Sequence, residues 1–265
     1  MTATTLALTS YVPVPASGRA IVLLHGFPVD HRMWDDVAAR LRAVTGLGLV
    51  APDLPGLGAS PVPADVPSVA ASADAVARTL DDAGVRRAVV VGMSMGGYVA
   101  MALLARHPQL VAGIGLVDTK HGADDDVARA NRLRVATTVL AAGSVDAVRG
   151  MSTSLLAASA RETRATQVAA LIDDQPPEGI AWSQRAMAAR GDSTATLQAF
   201  TGPAAVVVGD EDEVTPPAQA ASLRDLLADG TLVTVRGAGH LAAMERPDEV
   251  ADAIAALAAR TFPVD

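Results

Sequence analysis

Three side chains far apart in the chain could together attack a carbonyl: Ser94, Asp212 and His240. A serine hydroxyl is a poor nucleophile at neutral pH and needs a base within hydrogen-bond reach. An imidazole is suited to that task, and a carboxylate behind it orients the ring and stabilises its charged form. Ser94 stands in Gly92-Met93-Ser94-Met95-Gly96-Gly97. The apolar run Ala88-Val89-Val90-Val91 precedes it, and the helix-forming Tyr98-Val99-Ala100-Met101-Ala102-Leu103-Leu104 follows. A Gly-x-Ser-x-Gly turn between strand and helix reads as a nucleophile elbow, which pushes the hydroxyl into the open. In the bland alternative the serine only caps the helix.

Five histidines compete to be the base. His107 precedes Pro108 at a helix end, and His31 opens a helix; both read as surface residues. His121 begins a long helical stretch and either lines a pocket or does nothing. His25, before Gly26 in a strand-end turn, reads as a group that holds its loop by hydrogen bonding. His240, in Arg236-Gly237-Ala238-Gly239-His240 after the last strand, is the best base. For the carboxylate, Asp212 in Gly209-Asp210-Glu211-Asp212-Glu213 is the first choice. Asp118, at the end of another strand, is its rival.

The elements that must position these groups follow a regular rhythm. Short, nearly continuous apolar runs cover 20–24, 47–51, 88–92, 113–117, 204–208 and 231–235. Runs of this kind belong to a parallel sheet covered on both faces. Amphipathic helical patterns lie between them, over 33–44, 69–83, 97–106, 218–227 and 247–260. Strand–helix alternation of this sort makes a doubly wound α/β domain with a mostly parallel sheet. Residues 120–200 break the rhythm: they are Ala- and Arg-rich with helical spacing and no convincing strand. That stretch is longer than a crossover needs. It is expected to be a helical cap inserted at the carboxyl ends of the strands, with 1–119 and 201–265 forming the core.

Composition narrows the chemistry. The chain has 265 residues, half of them hydrophobic but only 3% aromatic, so the core must be built from Ala, Val and Leu. A net charge of −8 argues against nucleic acid or an anionic membrane surface as partner. The absence of cysteine excludes disulfides, thiolate metal sites and a cysteine nucleophile. No metal-ligand cluster, Walker loop or dinucleotide fingerprint is visible, so neither metal nor cofactor is expected. The first eighteen residues lack a signal peptide's basic lead and apolar run, and no stretch is long enough to span a bilayer. A cytoplasmic monomer or homodimer acting on a small acyl substrate is the expectation.

Taken with His25-Gly26-Phe27-Pro28 and Asp53-Leu54-Pro55-Gly56-Leu57-Gly58-Ala59-Ser60, the order Ser94, Asp212, His240 resembles the α/β-hydrolase family. The likeness runs from about Ile21 to Ala259. It implies Asp212, three residues after Gly209, as the triad acid. It also implies an oxyanion hole from the amides of Met95 and Phe27; Pro28 has no N–H to offer. Two fixed donors meet the developing oxyanion, and losing one costs about 10²–10³ in rate in related chemistry. The family usually carries a longer antiparallel hairpin at its N-terminus, and residues 4–14 are expected to supply a shortened one.

Epoxide hydrolases and haloalkane dehalogenases resemble the chain as well, but they need a carboxylate at the elbow, where Ser94 stands. A serine supports attack on an ester, thioester, lactone or amide. The resemblance implies a carboxylesterase or lactonase, with carbon–carbon bond hydrolysis, perhydrolysis or a non-catalytic receptor as alternatives. Trp34, Trp182 and Leu241 are candidate substrate contacts, with core packing as the alternative reading of each. Arg185 and Arg190 could clamp a substrate carboxylate or lie on the surface.

Overall fold

The computed structural model describes residues 5–42 and 47–263. It begins with β1 (Leu8–Val12) and β2 (Arg19–Leu24), then α1 (Asp35–Arg42), β3 (Gly48–Pro52) and α2 (Val69–Asp82). The elbow region follows as β4 (Arg87–Met93), α3 (Met95–Arg106) and β5 (Val111–Val117). A helical stretch comes next: α4 (Asp126–Ala142), α5 (Asp146–Arg149), α6 (Met151–Ser154), α7 (Arg161–Asp173), α8 (Pro177–Ala188) and α9 (Thr194–Gln198). The chain closes with β6 (Pro203–Gly209), α10 (Pro217–Asp225), β7 (Asp229–Val235), α11 (Ala242–Glu245) and α12 (Pro247–Thr261).

The strands form one sheet in the order β1-β3-β2-β4-β5-β6-β7. All neighbours are parallel except β1, which runs antiparallel to β3. In β4 and β6 every residue after the first is buried, and in β5 every residue is. This is the pattern of strands covered on both faces. β7, at the edge, is mostly exposed or half-buried. α1 packs with α12, and α2 with α3. A Ser68 side chain caps α2 by accepting from the Ala71 amide at 3.0 Å, and Asp125 caps α4 in the same way.

From β2 the chain moves outward to β3 and then returns to the other side of β2 as β4. Ligands bind such sheets at this reversal, beyond the carboxyl ends of the strands. The β2–β4 register sets Leu24 beside Gly92. The His25-Gly26-Phe27 loop and the Ser94 turn therefore leave the sheet side by side.

Two expectations need correcting. The N-terminal segment makes a single strand paired to β3, not a hairpin, and Thr4 lies outside the described residues. The helix expected over 33–44 is a 3-10 turn at His31–Trp34 followed by α1, with Ala43 and Val44 outside the described residues. Asp30 accepts from the Arg32 amide at 3.0 Å and starts that tighter turn. Among the described residues no helix is long and apolar enough to cross a membrane.

Candidate active site

Ser94 sits between the last residue of β4 and the first of α3, with φ 50° and ψ −112°. Positive φ is strained for a residue with a side chain and persists only where the surroundings enforce it. Here the glycines enforce it by close approach. A Cβ on Gly92 would lie 2.2 Å from Gly96 O, and one on Gly96 would lie 2.2 Å from Leu24 O. The turn is also pinned to β5. The Ser94 amide donates to Val117 O at 2.9 Å, and Thr119 Oγ1 donates to Ser94 O at 2.8 Å.

The structure brings the three separated residues into one line. Ser94 Oγ lies 2.9 Å from His240 Nε2, and His240 Nδ1 lies 2.9 Å from Asp212 Oδ2. An ionised carboxylate only accepts, so Nδ1 carries the proton and Nε2 presents its lone pair to the serine hydroxyl. Asp212 is buried in the loop after β6. Its Oδ1 accepts from the amides of Val214 and Thr215 at 2.8 and 2.9 Å, and its Oδ2 also accepts from Thr215 Oγ1 at 2.7 Å. Burial alone would raise the Asp212 carboxyl, but His240 and Thr215 outweigh it and hold it below the usual range.

Asp118, the rival acid, is fully buried and does something else. Its Oδ1 accepts from the Gly209 amide at 2.9 Å and its Oδ2 from the Ala242 amide at 3.1 Å. It fastens the ends of β5 and β6 to α11. Burial first, then the neighbouring Asp212, push its carboxyl well above the usual range.

The amides of Phe27 and Met95 have no acceptor among the described residues. They belong to the two loops that leave the sheet side by side. Trp34 and Leu241 are fully buried in the core cluster. Trp182 is buried in α8, with its indole N–H unpartnered. A cavity of about 610 Å³ reaches His240 and Asp212 between Leu155, Ala157 and Arg161 on one side and Glu213 and Pro216 on the other.

The other histidines are placed as follows. His25 Nε2 accepts from the Leu54 amide at 2.8 Å while Nδ1 donates to Gly26 O at 2.9 Å, so it holds its loop as the sequence suggested. Burial lowers its basicity. His31 and His107 are half-buried rather than surface residues, against Asp53 at 2.7 Å and Asp74 at 2.8 Å. His121 lines a cavity of about 230 Å³ with Tyr98 and Arg190. Arg190 lies 4.0 Å over the Tyr98 ring and 2.7 Å from Asp124, so its charge is already paired within the protein. Arg185 is exposed.

Among the described residues one cluster has metal-ligand residue types: Asp30, His31 and Asp53. Its oxygens already accept from the amides of Arg32, His31 and Ala59, from the Arg32 guanidinium and from Gln175. A guanidinium in the cluster does not suit a cation, and the three residues act as a structural knot.

Sequence reasoning missed Thr215 and Glu245. Thr215 follows the acid by three residues and reads as an ordinary residue before Pro216-Pro217. Glu245, in Met244-Glu245-Arg246-Pro247, reads as a solvated acid before a helix. The structure buries it against the His240 turn.

A family model for the alpha/beta hydrolase fold matches residues 19–247. The chain belongs to the α/β-hydrolase fold family. Within that family it is an esterase-type hydrolase. A pimeloyl-acyl-carrier-protein methyl ester esterase from Chromobacterium violaceum is 30% identical over 252 residues, covering 92% of this chain and 96% of that protein. A biotin biosynthesis bifunctional protein from Cellvibrio japonicus is 29% identical over 247 residues; the match covers 88% of this chain but 46% of that longer protein. A thermophilic esterase from Thermogutta terrifontis, solved with malate bound, superposes with a TM-score of 0.90 at 32% identity. That superposition covers 97% of this chain and 93% of the other.

Proposed function

We propose that this chain is a serine hydrolase that cleaves small carboxylic esters through an acyl-enzyme intermediate on Ser94. The observation that carries the reading is the unbroken line from Ser94 Oγ through His240 to Asp212, with both hydrogen bonds at 2.9 Å. In this reading His240 Nε2 takes the hydroxyl proton as Ser94 attacks the ester carbonyl. The amides of Phe27 and Met95 receive the oxyanion. As the tetrahedral intermediate collapses, His240 protonates the departing alkoxide and an acyl-serine remains. A water molecule, deprotonated by His240, attacks that acyl group and releases the acid and the free serine. Asp212 keeps the imidazole in the required tautomer and stabilises the imidazolium. A lactone, being a cyclic ester, would open by the same steps.

We read residues 120–200 as the cap of this site, with 1–119 and 201–265 as its core. Leu155 and Ala157, from that segment, line a cavity together with His240, which supports the reading. Trp182 remains the proposed apolar contact for the substrate, while the full burial of Trp34 and Leu241 in the core favours their packing reading. The names of the Chromobacterium and Thermogutta proteins favour an ester over the carbon–carbon and peroxide alternatives.

The test is stoichiometric labelling with a fluorophosphonate, followed by turnover of p-nitrophenyl acetate, butyrate and palmitate. One label per chain, mapped to Ser94, is expected, with the short esters turned over faster than palmitate. Ser94→Ala should remove both labelling and at least about 10⁴-fold of turnover while leaving the fold intact. A Ser94→Ala variant keeping a tenth of wild-type turnover would rule the nucleophile out.

A further inference from the structure

The turn that carries His240 leans on the inserted helical segment. The His240 amide donates to Leu155 O at 2.8 Å. Gly239 lies so close that a Cβ there would come within 2.4 Å of Ala157 N. Between the two segments lies Glu245, at the end of α11 and buried. Its Oε1 accepts from the amides of Gly239 and Leu241, the two residues flanking His240, at 3.0 and 3.2 Å. Its Oε2 accepts from the Ala157 amide at 2.9 Å. Among the described residues no cation pairs with it. A buried carboxylate without a counter-ion is costly unless N–H donors replace its water. Three backbone N–H groups do so here, and they oppose the upward push of burial on this carboxyl.

We propose that Glu245 is a positioning residue for His240: its carboxylate locks the turn that carries the imidazole and ties it to residues 155–157. The inserted segment thereby sets where the imidazole sits against Ser94. The inference rests on reading His240 as the base of the reaction. Glu245 touches neither Ser94 nor the imidazole, so its influence runs through the backbone on both sides of His240. A misplacement of about 1 Å at a reacting group can cost on the order of 10² in rate.

Glu245→Gln is the sharpest probe because it keeps size and shape. A carboxamide has one oxygen and one NH2, so whichever way it faces, one segment meets N–H against N–H. The variant should show kcat and the second-order rate of fluorophosphonate labelling each lowered about 10–100-fold, with KM within about threefold of wild type. Circular dichroism should be unchanged. Val250→Ala, a truncation in the buried face of α12, serves as the control: it should lower the thermal midpoint without lowering kcat. A folded Glu245→Gln protein with kcat and labelling within about twofold of wild type would overturn the proposal. So would a Val250→Ala protein that loses as much activity for the same loss of midpoint.

Amide hydrogen exchange on the wild-type protein tests the clamp without any variant, and so covers a Glu245→Gln protein that does not fold. The amides of Ala157, Gly239 and Leu241 should be protected alike; exchange of Ala157 at the rate of an open loop overturns the tie. If wild-type Ser94 fails to label, the serine-hydrolase reading falls, while the exchange pattern still decides whether Glu245 joins the two segments.

Discussion

The strand ends that carry the candidate site and the helices between β5 and β6 are held in place by different balances of backbone packing and side-chain pairing. At the strand ends, backbone meets backbone. Gly92 and Gly96 touch, Gly96 touches the end of β2, and Gly209 lies against Ala238 O and Gly239 O. The helices between β5 and β6 pack apolar residues into the core as well, but several of their ties to the rest of the molecule are made by charged and polar side chains. Arg32 pairs with Asp174 at 2.9 Å, Gln175 donates to Asp30 at 2.8 Å, and Arg164 reaches Asp36 at 3.4 Å. Gly143, Gly150 and Gly191 in this segment have open space around them, whereas Gly179 in α8 lies against the backbone of Gly56. Close-packed backbone fixes positions to fractions of an ångström, as a catalytic geometry requires. Exposed ion pairs fix less, and they respond to pH and salt.

The steric half of this contrast should give the largest effect. Gly96→Ala must displace the backbone of β2 and should cost at least about 1–3 kcal/mol. Either a sharp fall in thermal midpoint or loss of soluble protein is expected, with fluorophosphonate labelling lost in whatever folds. Gly150 has φ −60° and ψ −17°, which any residue adopts. Gly150→Ala should be neutral or stabilise by about 0.4–1 kcal/mol through the unfolded state. Equal damage from the two substitutions would break the comparison.

A second test sets the two strand-end carboxylates against each other. Asp212→Asn should lower kcat about 10³–10⁴-fold with little change in midpoint, because the imidazole loses its tautomer control. Asp118→Asn should act mainly on stability, since its oxygens bind only backbone amides. Measuring kcat and thermal midpoint for both separates the roles. If Asp118→Asn is the more crippled in kcat, the proposed acid is misplaced.

The smallest effect concerns the polar anchoring of the helices between β5 and β6. Burial would raise Asp30, but Arg32 and Gln175 outweigh it and hold its carboxyl down at about 2. A carboxyl depressed in the folded state stabilises above its ordinary value and loses that contribution as pH falls through its folded value. The thermal midpoint should therefore fall between about pH 4 and pH 2. Asp30→Asn should start lower at neutral pH and show a shallower fall over the same window. An unchanged slope in the variant would remove Asp30 from the anchoring.

Local patterning carried much of this molecule. The strand runs at 88–92, 113–117 and 204–208 match β4, β5 and β6 closely, because a strand buried on both faces must be apolar throughout. Ser94 was legible because a serine between glycines after such a strand has few other uses. The pairing of β1 with β3 was not legible, since strand pairing depends on a partner distant in sequence. Neither was the half-burial of His31 and His107, each of which depends on an aspartate supplied by another element.

By itself the sequence determined the rhythm of strands and helices, the turn that exposes Ser94, and the short list of bases and acids. Those are consequences of side-chain periodicity and backbone sterics, which act over a few residues. Only the tertiary structure decided between Asp212 and Asp118 as the residue beside the imidazole. Both follow strands, both are buried and both accept from backbone amides, but only Asp212 also faces the imidazole of His240. It alone decided that Glu245 is an internal acceptor and that Arg190 answers to Asp124. A charged side chain's role depends on which donors and acceptors reach it when water leaves, and those are supplied by segments far away in the chain.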